Sequence, residues 1–205
     1  METRSERAET TLAAIVDTAL AMAAAEGLES LTIGEVAKRL GLSKSGVFSR
    51  VGSREQLQVA VILEYDRRFQ QAVFVPAMGK PRGLPRLDDI MRRWLARATN
   101  ADRTLSCLYT AGAFEYDDRE GPVRDQLQDG VLRMRAALHR TVTQAIEAGH
   151  LQADLDAEQF VFEMDALFTG LLRDTRFLRD PRVHERGVKA WERMLSAAKT
   201  AEAPR

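Results

Sequence analysis

The sequence predicts an all-α protein: an N-terminal three-helix helix-turn-helix domain followed by a larger helical domain. Three observations lead there. Apolar residues recur at three- and four-residue spacing through most of the 205 residues, which is the period of a helix. These segments are punctuated by glycines, prolines and capping residues rather than by the alternating runs that mark strands. The stretch Leu31 to Leu57, LTIGEVAKRLGLSKSGVFSRVGSREQL, reads as two short helices around one glycine, followed by the cap of a third.

The first helix is expected from about Ser5 to Glu26. Leu12, Ile15, Val16, Ala19, Met22 and Ala23 share a face, and Gly27 stops it. It should cover the back of the helix-turn-helix. Arg4 and Arg7 at its start either approach a phosphate or minor groove or are simply solvated. Thr32 stands three residues before Glu35, the spacing of a capping box, and Val36, Ala37 and Leu40 give the second helix its apolar face. Gly41 supplies a left-handed backbone at the turn, and Leu42 is expected to pack back into the corner. Ser43 caps the third helix, Lys44 to Arg50, where Val47 is the inward contact opposite small Ala37. Ser53 and Gln56 form a second capping box for a fourth helix, from about Arg54 to Val75.

PAMGKPRGLP, from Pro76 to Pro85, is the clearest break, with three prolines and two glycines. The domain boundary is placed ahead of it, giving domains 1–53 and 54–205, because the fourth helix belongs mechanically to both. Helical patterns then resume over 87–98, 105–114, 123–148, 156–178 and 181–199, with Asp156 as a cap and a disordered tail from Thr200. Between them, Glu115, Asp117, Asp118 and Glu120 surround Arg119 in what reads as a solvated loop.

Thirty basic and thirty acidic residues cancel, which argues against diffuse binding to nucleic acid. A focused site remains open, since affinity follows the few phosphates actually neutralised. Between Thr32 and Arg54 the basic residues Lys38, Arg39, Lys44, Arg50 and Arg54 face the single acid Glu35. The first 57 residues as a whole carry seven bases and eight acids, so any DNA face must be concentrated. No apolar run reaches the ~18–20 residues of a transmembrane helix. Cys107 stands alone, which excludes an internal disulfide and fits a cytoplasmic location. His139, His150 and His184 are too scattered for a local metal motif, and no phosphate loop or nucleophile elbow is present. Neither an enzyme nor a cofactor is expected.

These residues resemble the TetR family of transcriptional regulators. The resemblance rests on a long first helix ending in Ala-x-x-Gly (Ala24 to Gly27), Leu31-Thr32-Ile33, Val36-Ala37, Gly41-Leu42-Ser43, Gly46-Val47-Phe48 and the helix start at Ser53 to Leu57. It implies double-stranded DNA as a partner. Thr32 and Arg54 would touch phosphates at helix N-termini. Lys44, Ser45 and Ser49 would face the groove, alongside Ser43, Gly46, Phe48 and Arg50. The chain departs from the family's Tyr-x-His-Phe with Phe48-Ser49-Arg50-Val51. Phe48 lacks a hydroxyl for phosphate, and Arg50 offers a charge-assisted replacement.

Beyond the break, Trp94, Tyr109, Phe114, Phe160, Phe162, Met164 and Phe168 on their own read as the filling of a helical bundle. The resemblance implies a cavity for a small, partly apolar ligand, with Met91, Trp94, Tyr109, Met134, Leu138, Phe160, Met164 and Phe168 as candidate lining. It also implies a homodimer through the last two helices, for which Phe168, Gly170, Leu171, Val188, Trp191, Met194 and Leu195 are candidates. The function expected is a ligand-responsive, homodimeric repressor of a pseudo-palindromic operator. The alternative is a helical ligand-binding or protein-interaction module without sequence-specific DNA binding.

Overall fold

The computed structural model describes residues 4–100, 107–201 and 203, with side chains from Glu9 onward. Among them the regular structure is helical, apart from one isolated bridge between Leu151 and Lys199. The helices are α1 (Arg4–Glu26), α2 (Ile33–Leu40), α3 (Lys44–Val51), α4 (Arg54–Phe69), α5 (Leu84–Ala98), α6 (Leu108–Glu115), α7 (Pro122–Glu147), α8 (Ala157–Arg173) and α9 (Val183–Ala198). The chain forms two compact units, 1–68 with 106–130 and 69–105 with 131–205. No helix among the described residues is long and apolar enough to cross a membrane.

In the first unit, α1, α2 and α3 pack mutually around Ile15, Ala19, Met22, Leu28, Leu31, Val36 and Val47, all buried. Leu57, Val61, Ile62 and Tyr65 from α4 complete this core. The same unit takes in α6 and the start of α7. Their close approach depends on two glycines: a Cβ on Gly112 would meet Leu127 at 2.8 Å, and one on Gly130 would meet the Tyr109 ring at 2.4 Å. Tyr109 stands edge-on to Tyr65 with centroids 5.0 Å apart, and its hydroxyl donates to Asp66.

Helix α4 does not continue as a regular helix to Val75. It widens into a π-turn at Gln70–Phe74 and closes with a short α-turn, Val75–Ala77. Pro76 is the reason. It has no N–H to bond four residues back and its ring crowds that carbonyl, so the wider turn takes up the misfit. α8 likewise ends in a π-turn, Asp174–Leu178, stopped by Arg179 in the left-handed region (φ 54°).

The second unit is built on a ring stack. Trp94 of α5 lies parallel to Phe168 of α8, with centroids 3.3 Å apart, and Phe69 meets Trp94 edge-on at 6.0 Å. Leu87, Ile90, Met91, Leu138, Val142 and Met164 are buried with them. Gly187 lets α9 approach Leu95 and Leu171. Trp191 is fully buried, tilted against Phe160, and its indole N–H donates to Asp88 at 2.8 Å. His150 Nδ1 accepts from the Leu84 N–H at 3.1 Å, which satisfies an orphan donor at the start of α5. Thr200 is held rather than loose, since its hydroxyl donates to the Gly149 carbonyl at 2.7 Å. The expectations for Arg4, Arg7, Leu105, Ser106 and the last residues of the tail fall outside the described side chains.

Candidate nucleic-acid interface

The helix-turn-helix is assembled by caps. The Glu35 N–H donates to Thr32 Oγ1 at 3.1 Å, which fixes the start of α2. Gly41 takes φ 64°, ψ 26°, and the Leu42 N–H returns to the Ala37 carbonyl at 2.9 Å to close the turn. Ser43 Oγ then accepts from the Gly46 N–H at 3.0 Å and starts α3. Val47 and Val51 are the buried residues of α3. Leu42 is exposed, not tucked into the corner, because the left-handed glycine turns it outward.

Of the residues predicted for DNA, Thr32, Ser43, Lys44, Ser45, Phe48, Ser49 and Arg50 are exposed and Gly46 is half-buried. Several of the polar ones close on the helix itself. Ser49 Oγ donates to the Gly46 carbonyl at 3.0 Å, and Arg50 Nη1 donates to the same oxygen at 2.7 Å. Ser43 Oγ lies 3.3 Å from Ser45 Oγ. Arg39 is paired with Glu26 at 2.6 Å. Among the described residues no ion pair holds Lys38, Lys44 or Arg50, so this small face carries uncompensated positive charge. That concentration is what a unit with no net basic excess requires.

Arg54 departs from the sequence expectation. Its Nε donates to the Leu31 carbonyl at 2.7 Å, Nη2 donates to the Glu29 carbonyl, and the guanidinium pairs with the Glu29 carboxylate at 3.1 Å. Its hydrogen-bonding capacity is directed at the α1–α2 turn. A phosphate contact from Arg54 has to compete with these partners.

Glu29 is the centre of a cluster that sequence reasoning missed. Its carboxylate accepts from the Tyr116 hydroxyl at 2.8 Å and pairs with Arg119 at 2.8 Å, as well as with Arg54. The Glu29 N–H donates to the Glu115 carboxylate at 2.8 Å. Buried Gln58 donates to both the Leu28 carbonyl and Tyr116 Oη, each at 2.9 Å. Arg119 foremost, then Tyr116, holds the Glu29 carboxyl down to about 2, against a smaller opposing effect of burial. Burial and the Glu29 charge push the Tyr116 phenol upward, so it remains a donor. The segment expected to be a solvated loop is therefore solvated only in part. Asp117, Asp118 and Glu120 are exposed, whereas Glu115, Tyr116 and Arg119 clasp the turn that precedes α2. One sequence signal pointed here: Gln58 is a polar residue on the buried face of α4.

The residues predicted to line a ligand cavity are all buried. Met91, Trp94, Met134, Leu138, Phe160, Met164 and Phe168 lie in the second unit, and Tyr109 in the first. Phe114 and Phe162, read from sequence as bundle filling, are exposed. Of the residues predicted for a dimer, Phe168, Leu171, Trp191 and Leu195 are buried within this chain. Phe168 is covered by Trp94, and Trp191 by Phe160 and its bond to Asp88, so neither offers surface to a second copy. Val188 and Met194 are half-buried, and space is open beside Gly170. The outer face of α8 instead carries Phe162 (55% exposed), Ala166 and Gly170, each four residues from the next, and the π-turn that follows carries exposed Phe177.

Two family profiles match. "Bacterial regulatory proteins, tetR family" covers residues 15–61, and "Tetracyclin repressor-like, C-terminal domain" covers residues 83–191. Solved structures share the fold along nearly the whole chain. A TetR-family transcriptional regulator from Cytophaga hutchinsonii aligns with a TM-score of 0.81 at 15% identity, over 96% of this chain and 98% of that one. A TetR regulator from Chloroflexus aurantiacus aligns with a TM-score of 0.82 at 18% identity, over 93% and 94%. A ketosteroid transcriptional regulator from Mycobacterium tuberculosis aligns with a TM-score of 0.68 at 16% identity, over 97% and 98%. No curated protein matches.

Proposed function

Because this chain belongs to the TetR family of bacterial regulators, and so is a DNA-binding transcriptional regulator and not an enzyme, we propose that it is a homodimeric repressor released from a pseudo-palindromic operator by a small molecule. The observation that carries the reading is the outer surface of α3. It is exposed, short-chained around Gly46, and flanked by Lys38, Lys44 and Arg50, none of which is held in an ion pair among the described residues. Short side chains let a helix sit deep in the major groove, and the charges neutralise flanking phosphates. Thr32, Ser43, Lys44, Ser45, Gly46, Phe48, Ser49 and Arg50 form the DNA site on this reading, with Arg54 as a conditional phosphate ligand.

Residues 1–53 carry the reading surface, and ligand binding and dimerisation lie within 54–205, of which 54–68 and 106–130 pack in the same unit as the head. The ligand is partly apolar and enters among Met91, Trp94, Met134, Leu138, Phe160, Met164 and Phe168, where polarizable methionines accommodate varied shapes. Dimerisation uses the α8 face of Phe162, Ala166, Gly170 and Phe177 together with the half-buried Val188 and Met194, as a four-helix arrangement. Two heads must match successive major grooves, about 34–36 Å apart. A ligand that binds one head spacing better than the other shifts the equilibrium by that difference and no more. Helix α4 runs from the reading head into the second unit and is the element through which the shift passes. A cytoplasmic setting follows from a DNA target.

Selection of bound duplexes from random DNA by the full chain tests this. A pseudo-palindromic consensus with half-sites one helical turn or a multiple apart supports the proposal. Weak, uniform retention of all sequences overturns it in favour of a module without sequence-specific DNA binding.

A further inference from the structure

We propose that Phe48 reads the C5-methyl group of a pyrimidine in the major groove and is the apolar specificity determinant of α3. The inference rests on the DNA-binding reading and extends it to a base chemistry. Phe48 is 55% exposed, while Val47 and Val51 carry the packing of the same helix. It makes no aromatic ring contact among the described residues, and more than half of its surface is open to a partner.

Its neighbours sharpen the point. Ser49 and Arg50 both donate to the Gly46 carbonyl, and Ser43 accepts from the Gly46 N–H while lying against Ser45. Two longer side chains on α3 are left without such a bond among the described residues: Lys44 and Phe48, one helical turn apart on one edge of the helix.

The major groove offers hydrogen-bond donors, hydrogen-bond acceptors and one apolar feature, the methyl at C5 of thymine. A phenyl ring neither donates nor accepts in the manner of a base edge or a phosphate ligand. The methyl is the group it complements, and Lys44 beside it suits the O6 and N7 acceptors of a guanine. 5-Methylcytosine presents the same methyl at the same place. Removing one buried methyl should cost about fourfold in affinity at each half-site, and about fifteenfold when both halves lose it.

The test uses the full chain and its selected operator. Each thymine is replaced in turn by deoxyuridine, and each cytosine by 5-methylcytosine, against wild type, Phe48→Ala and Phe48→Leu. The expected result is one thymine per half-site whose demethylation weakens wild type and Phe48→Leu but leaves Phe48→Ala unchanged. If methylation of a cytosine instead tightens wild type but not Phe48→Ala, the methyl reader stands and its natural source is 5-methylcytosine. The proposal is overturned if no methyl change separates wild type from Phe48→Ala, or if Phe48→Ala weakens every sequence equally, which marks a backbone contact. Recovery of no selective sequence removes the DNA reading itself, an outcome distinct from loss of methyl dependence on a defined operator.

Discussion

Replacing Glu29 by Gln should destabilise the first unit in a way that depends on pH. The Glu29 carboxyl is held at about 2 instead of 4.5, first by Arg119 and then by Tyr116. Taken at face value, that difference corresponds to about 3 kcal/mol of preference for the charged form in the folded state. The Glu29 side chain is 41% exposed, so solvent screens much of it, and about 1 kcal/mol is the magnitude to expect. The sign follows from the lowered value. Stabilisation is complete above the unfolded carboxyl's 4.5 and is lost as pH falls through the folded state's 2. Urea unfolding followed by circular dichroism at pH 7, 5, 3 and 2 measures this directly. Glu29→Gln should unfold about 0.5 M earlier than wild type at pH 7, and the two curves should converge near pH 2. A gap of equal size at pH 2 and pH 7 would show that the charge on Glu29 is not what stabilises the fold. No gap at any pH would remove the cluster from the stability account.

Gly130→Ala should lower stability by about 1–3 kcal/mol, because the added methyl lands 2.4 Å from the Tyr109 ring; an unchanged urea midpoint would mean that α6 and α7 move apart freely. Ser43→Ala should cost about 1 kcal/mol through the lost cap of α3, visible as faster amide exchange at Gly46. Lys44→Ala should relax base preference at one operator position, whereas Arg54→Ala should reduce the salt slope of binding by less than a full phosphate contact, since Glu29 and Leu31 already hold that side chain. Phe162→Asp should shift the sedimentation of the chain from dimer to monomer while leaving its helical circular dichroism unchanged, and a dimer that survives would move the interface off this face of α8.

The helix-turn-helix was legible because its signals are local. Gly41 and its left-handed turn, Thr32 and Ser43 with their capping bonds, and Val47 on the inner face all act within four residues in sequence. The Glu29 cluster was not legible, since its members are separated by 86 and 87 residues and no short pattern joins them. The burial of Trp191 was readable, but its direction was not. An apolar stripe says that surface must be covered without saying whether the same chain or a second copy covers it. Here Val183, Gly187, Trp191 and Leu195 form a single inward stripe, and Asp88 supplies the indole's acceptor. Phe162 illustrates the converse: an aromatic in a helical pattern reads as core until the structure leaves it outside.

The clasp formed by Glu115, Tyr116 and Arg119 also bears on how this protein could be recombined. A chimera joined at residue 53 or 61 would transplant the reading helices without the later segment that grips them, and would leave Glu29 and Gln58 facing a stranger's side chains. The head is not a free-standing cassette. A graft that keeps its register should carry residues 106–130 of the donor along with the first 68.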